Sequence, residues 1–232
     1  MKTRKMLVRT GLSVLLIAMV AMSCEEDDPA EVVFEQDFNA GENGWEAVFA
    51  EYPPTQTDYE LESGIKTLPQ PLDQRRSGYM LSGNNHSDAL QMFLVKKLEG
   101  LDSTATYQVD VEVKLASKYP DGSVGAGGSP ANAVHIIAHV CGGGYELVDG
   151  DQGNVEVELN KESYGYTQVE LGDVAIPADH TEYEMISREG TGPQTVRPNN
   201  KGEIWLLIGT WSGFEGITTL YYTDFKITFT EV

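Results

Sequence analysis

The chain has 232 residues, 36 of them acidic and 16 basic, for a formal net charge of −20. That balance excludes sequence-independent nucleic-acid binding, which needs a cationic surface to displace the counterions of phosphates, and it argues against a helix drawn to anionic lipid. The charge does not argue for disorder, because 41% of the residues are hydrophobic and a disordered acidic tail lacks such residues. About 200 residues suffice for one sandwich or barrel with a sizeable core. In chain order, Lys2, Arg4, Lys5 and Arg9 form a basic start, and Leu12–Met22 is apolar. This is the layout of a secretory signal, too short for a comfortable transmembrane span.

Ala21-Met22-Ser23-Cys24 resembles a bacterial lipobox. The resemblance implies that residues 1–23 are removed and that Cys24 is acylated. Glu25-Glu26-Asp27-Asp28 follows at once and resembles the surface-export signal of Bacteroidota lipoproteins; by charge alone it reads as a solvated tether. The chain thus divides into a signal peptide (1–23), a lipidated cysteine with acidic tether (24–31) and a β-sandwich domain (32–232). The expected location is the outer membrane of a Gram-negative bacterium, on the cell surface, with membrane contact through the lipid anchor only. Cys141 is the other cysteine. With Cys24 acylated it has no partner, so a buried, unreactive thiol is expected and no intramolecular disulfide.

From residue 32 onward the dominant signal is alternation with period two. Expected strands run over 32–38, 46–52, 79–82, 90–96, 107–115, 134–141, 155–159, 166–171, 203–211 and 225–229. The clearest is Tyr107, Val109, Val111, Val113 and Leu115 alternating with Gln108, Asp110, Glu112 and Lys114, the pattern of a strand with one wet face. Gly, Pro, Asn and Asp clusters separate the strands. Asp149-Gly150-Asp151 reads as a hairpin turn, because its glycine is one place early for an EF-hand and Asn160 stands where the bidentate Glu belongs. Residues 118–132 and 187–202 read as long loops, where binding residues gather. Ten or so strands without helical periodicity mean an all-β fold, a single sandwich or jelly roll.

Three blocks carry a resemblance. They are Asp37-Phe38 with Gly44-Trp45, the run from Ser82 to Asp88, and the C-terminal Trp205–Thr210, Ser212–Gly216 and Thr219–Tyr222. Together they resemble a family of uncharacterised secreted bacterial proteins, which implies a secreted β-domain. The two ends also resemble carbohydrate-binding modules of the galactose-binding jelly-roll type. That likeness implies a structural Ca²⁺ shared by carboxylates of the first and last strands, here Glu35 or Asp37 and Asp224, with backbone carbonyls completing the shell.

A sugar site needs aromatic rings for the apolar sugar face and amides or carboxylates for the hydroxyls. Trp205, Leu207, Gly209 and Trp211 share one face of a strand whose other face holds Ile204, Leu206 and Ile208. A strand apolar on both faces has one face in the core and the other covered or occupied. Gly209 is expected to leave room between the two rings, and Asn84, Asn85, His86 and Asp88 to supply the polar groups. Ser82, His86 and Asp88 are too close in sequence to align as a triad. His135 and His139 read as a solvent-facing row, roughly 13 Å apart at strand rise and too far for one metal. The expected function is non-catalytic glycan binding by a surface lipoprotein. The alternatives are an adhesive protein that binds an envelope partner, and a carbohydrate-active hydrolase or lyase.

Overall fold

The computed structural model describes residues 29–232. The signal peptide, Cys24 and the acidic run 25–28 lie outside the described residues. Fifteen strands follow one another: β1 (Glu31–Asp37), β2 (Glu46–Ala50), β3 (Glu62–Thr67), β4 (Ser77–Asn84), β5 (Gln91–Leu98), β6 (Tyr107–Ser117), β7 (Tyr119–Pro120), β8 (Val134–Cys141), β9 (Tyr145–Asp149), β10 (Val155–Leu159), β11 (Tyr166–Asp173), β12 (Ala175–Ile176), β13 (Glu184–Thr191), β14 (Ile204–Ser212) and β15 (Ile217–Glu231). Among the described residues there is no α-helix.

The strands form a two-sheet sandwich of the jelly-roll kind. One sheet runs β13-β6-β15-β4-β3, with β1 also on β15; the other runs β11-β8-β14-β5-β2. Both are antiparallel throughout. β15 is the long spine. β4 pairs with residues 217–222 of it and β1 with residues 224–230, along the same edge. A register shift between Tyr222 and Asp224 breaks its pairing with β6, the local kink a bulge produces.

The alternation decides what lies inside. Val109, Val111, Val113 and Leu115 of β6, with Phe225, Ile227 and Phe229 of β15, face Ile204, Leu206 and Ile208 of β14 and Ile136, Ala138 and Val140 of β8 in one core. Each Val, Leu, Ile or Phe among them contributes roughly 1.5–3 kcal/mol by burial. Phe38, Trp45 and Phe225 meet edge-on with centroids 5.0–6.1 Å apart, the geometry the ring quadrupoles favour.

A second, smaller core explains why β14 and β8 are apolar on both faces. The β9–β10 hairpin folds over the outside of the five-stranded sheet. Tyr145, Val157 and Leu159 pack there on Val48, Phe93, Val95, Ile137 and Leu207. The turn at 149–154 closes this hairpin, as expected.

Five strands lie outside the sequence expectation: β3, β9 and β13, and the two-residue β7 and β12. β13 occupies part of the stretch read as a loop over 187–202. It is an edge strand that pairs only with β6, and none of its residues is fully buried, so its alternation carries little apolar contrast. Cys141 is a buried free thiol whose Sγ contacts the Gly144 carbonyl at 3.3 Å. Burial raises its pKa, which keeps it protonated and unreactive.

Candidate functional site

The β9–β10 hairpin covers only part of the outer face of the five-stranded sheet. What it leaves open is a depression of about 370 Å³ lined by Gln91, His135, Ile137, His139, Gln168, Glu170 and Trp211. The pairing places these residues. Trp211 lies opposite Gln91 on one side and His135 on the other, while Gln168 lies opposite His139 and Glu170 opposite Ile137. Trp211 is 38% exposed. The ring of His135 stacks on it, centroids 5.3 Å apart and planes inclined by 23°.

A chain of polar side chains runs beside this stack. His139 Nδ1 lies 2.7 Å from the Tyr166 hydroxyl, which donates to Gln168 Oε1 at 3.1 Å; Gln168 Nε2 donates to Glu170 Oε1 at 2.6 Å. The carboxylate can only accept, so it fixes every donor upstream. Gln168 must turn its NH₂ to Glu170, its carbonyl then takes the Tyr166 proton, and Tyr166 accepts from His139 Nδ1–H. The imidazole keeps its lone pair on Nε2. Burial, helped by the Lys161 charge, lowers the His139 pKa to about 4, so the ring is neutral at neutral pH. Burial raises the Tyr166 hydroxyl to about 12, with Cys141 and Glu170 adding to it. The Lys161 ammonium sits 4.3 Å from the Tyr166 ring centre. His135 is half-buried and His139 buried, which corrects the expectation of a solvent-facing row. Neighbouring rings cover them.

The residues expected to bind ligand are dispersed. Trp211 and the 84–88 turn share one end of the sandwich, where the Asp88 carboxylate and the Trp211 ring both border Gly213. Asn85 is buried and points inward. Its NH₂ donates to the Ser212 and Phe214 carbonyls at 2.8 Å each, and its Oδ1 accepts from the Ser87 N–H at 3.0 Å. Asn84 donates to the Asp58 carbonyl, and the His86 ring stands edge-on to Tyr59 at 5.3 Å. Trp205 lies at the other end of β14, roughly 20 Å away for six residues of strand. Gly209 does not serve as a gap between the rings. A β-carbon there would run into the Met92 carbonyl oxygen and come within 2.8 Å of Phe93 Cα, so glycine permits the close approach of β14 to β5. Ser82 Oγ is taken up by Thr219, away from His86.

Glu35, Asp37 and Asp224 line a shallow depression together with Glu112, Lys114 and Lys226. Asp37 accepts from the Asn39 N–H at 2.8 Å, and Asp224 lies 3.4 Å from Arg76. Among the described residues no group of three or more His, Cys, Asp or Glu is placed to hold a metal ion. Sequence reasoning passed over Gln91, Tyr166, Gln168 and Glu170. On β11 the signal was the parity of Tyr166, Gln168 and Glu170 against the buried Thr167, Val169 and Leu171, which sets the polar row on the outer face.

The fold and groove together define the class, an all-β sandwich with an open aromatic depression on one sheet. No protein-family model and no curated protein matches the sequence. Among solved structures, TmCBM61 in complex with β-1,4-galactotriose is similar at 12% identity and TM-score 0.34, over 82% of this chain and 92% of that one. A carbohydrate-binding module that recognises mannan, TmCBM27, is similar at 10% identity and TM-score 0.39, over 86% and 98%. The K1 cleaved adhesin domain of Lys-gingipain from Porphyromonas gingivalis W83 is similar at 8% identity and TM-score 0.36, over 84% and 97%. Likeness at this level assigns no ligand and no activity to the chain.

Proposed function

We propose that the depression beside Trp211 binds a neutral glycan, and that the domain is carried outside the cell on an acylated Cys24. The observation that carries this reading is the exposed Trp211–His135 stack beside an ordered row of hydrogen-bonding groups. A pyranose has an apolar face of C–H bonds and a rim of hydroxyls. The indole takes the face, its negative quadrupole meeting the C–H hydrogens. Gln91, Gln168, Glu170 and the free Nε2 of His139 take hydroxyls, and the chain that fixes the orientations of the last three lowers the cost of ordering them on binding. No Lys or Arg lines the depression, so an anionic sugar gains no counter-charge and meets Glu170. That glutamate is also the only carboxylate in the lining, whereas glycoside hydrolysis takes a facing pair. This favours binding over cleavage.

The placement suits an anchored domain. β1 starts at Glu31, opposite Thr230, while Asn85 joins the Ser212 carbonyl, next to Trp211, to the Gly216 carbonyl at the far end of β15, roughly 40 Å along the strand. The start of β1 and the groove stand toward opposite ends of β15.

A panel of neutral oligosaccharides tested by calorimetry against the wild-type protein and Trp211→Ala decides the reading. Binding by the wild type that the variant loses supports it. Capture of an envelope protein that depends on Trp211, without binding of any glycan, moves the function to protein adhesion. Fatty-acid labelling of the expressed full chain, lost in Cys24→Ala, tests the anchor.

A further inference from the structure

We infer that Glu170 is the positioning residue of the groove: acting through Gln168 and Tyr166, it sets the tautomer of His139, so that the ligand must present a hydroxyl that donates there. The donated hydroxyl rests on the glycan reading of the groove, whereas the relay stands without it.

The run Tyr166-Thr167-Gln168-Val169-Glu170 sets its polar members Tyr166, Gln168 and Glu170 on one face of β11, because strand side chains alternate. Thr167 and Val169 are fully buried on the other face, and Glu170 is exposed. The file of side chains therefore starts in solvent at Glu170 and ends on a tyrosine ring that stacks on His139, planes inclined by 23° and centroids 5.8 Å apart. Only its first member has a fixed sense, since a carboxylate accepts and never donates. Were Gln168 turned over, its carbonyl oxygen would face the Glu170 oxygen across the 2.6 Å that now separates donor from acceptor, and two acceptors at that distance repel. The amide is held one way round. Tyr166 has a single proton to give and gives it to Gln168 Oε1, so its oxygen receives the Nδ1–H of His139.

The other ring nitrogen is the one a ligand meets. Among the described residues, the buried side-chain polar atoms without a partner are Trp45 Nε1, Thr210 Oγ1, Thr218 Oγ1 and the Tyr222 hydroxyl. His139 Nε2 has no partner among the described residues and is not one of these, so the groove reaches it. Its lone pair takes a hydrogen bond from a hydroxyl. An ether or ester oxygen placed there sets two acceptors against each other and leaves the nitrogen unpaired. An exposed glutamate thus decides what a buried imidazole recognises.

Nitrogen-15 NMR of the imidazole in the full chain at pH 7 tests this, because a protonated ring nitrogen and one with a lone pair resonate far apart. His139→Gln identifies the signals. In the wild type Nδ1 is protonated and Nε2 is not. In Glu170→Gln the new amide donates to Gln168 as readily as it accepts, the file runs either way, and the Nε2–H form appears. Tyr166→Phe cuts the file and keeps the stack, and in that background Glu170→Gln changes nothing further. A wild-type ring protonated at Nε2 overturns the relay, and so does a Glu170→Gln ring still protonated at Nδ1 alone. An equal change in the Tyr166→Phe background assigns the effect to the field of the carboxylate and overturns the relay as well. The spectra are then recorded with the β-1,4-linked tetrasaccharides of glucose, mannose and galactose. The sugar that binds moves the Nε2 resonance upfield and leaves Nδ1–H in place. Binding without that movement overturns the donated hydroxyl and spares the groove. Absence of binding by all three overturns the glycan reading and the donated hydroxyl with it, while the ligand-free spectra still decide the relay.

Discussion

The imidazole of His135 lies nearly parallel to the indole of Trp211, 5.3 Å between centroids, because the two residues are direct cross-strand partners on β8 and β14. Strand register alone sets this stack, so it is present before any ligand arrives. A cross-strand aromatic pair is worth roughly 0.2–1 kcal/mol. With the buried part of the indole added, Trp211→Ala is expected to lower stability by about 1–3 kcal/mol while glycan affinity falls about tenfold or more. His135→Ala leaves the indole in place and unbacked, and costs less affinity than the tryptophan change. Paired melts and titrations check both, and a Trp211→Ala protein that binds as well as the wild type contradicts the site.

Buried His139 sets a pH dependence. Its pKa is about 4 in the folded protein against an ordinary 6.5, so between these values the unfolded chain binds the proton and the native one does not. Stability then rises with pH across that window. The contribution is fully present above about pH 6.5 and is lost as pH falls towards 4. It amounts to roughly 3 kcal/mol at full span. The expected observation is a fall in chemical-denaturation stability from pH 6.5 to 4.5 that His139→Gln reduces. Equal slopes in the two proteins would show that other groups carry the acid sensitivity.

Asn85 holds the end of the groove from behind. Its NH₂ caps the Ser212 and Phe214 carbonyls, and its Oδ1 accepts from Ser87 and Leu90, so one side chain joins the 84–90 turn to the segment after Trp211. A stranded buried partner costs about 1–3 kcal/mol. Asn85→Ala should thus lose about 3 kcal/mol or more. Asn85→Asp keeps the shape but cannot donate to two carbonyls, and is expected to be as damaging. A tolerant Asn85→Asp would mean that water replaces the amide.

These residues also show what could be read from the chain and what could not. Alternation on β6, β10 and β15 placed the strands and the two-sheet architecture, because a wet face beside a dry one writes itself into local sequence. The twofold apolar face of β14 likewise announced that something covers or occupies it. Which part stays open was not legible. It depends on Leu159 and Val157 of the hairpin reaching Val48 and Phe93, contacts between residues far apart in the chain. Asn85 misled for a related reason. A polar run in a turn reads as solvent-facing, and only the tertiary position of the 212 and 214 carbonyls turns the amide inward.

Calcium provides the last test. Asp37 already accepts from a backbone N–H, Asp224 is 3.4 Å from Arg76, and Glu35 stands opposite Lys226. Three neighbouring cations, Arg76, Lys114 and Lys226, already offset most of the charge of Glu35, Asp37, Glu112 and Asp224, and Ca²⁺ takes six to eight oxygens. The melting temperature is therefore expected to be the same in millimolar Ca²⁺ and in chelator. A cation bound to the native state alone stabilises by about 2.7 kcal/mol at a hundredfold excess over its dissociation constant, which raises the melting temperature of a domain this size by roughly 5–10 °C. A rise of that order, abolished in Asp37→Asn, would place the ion between the first and last strands after all.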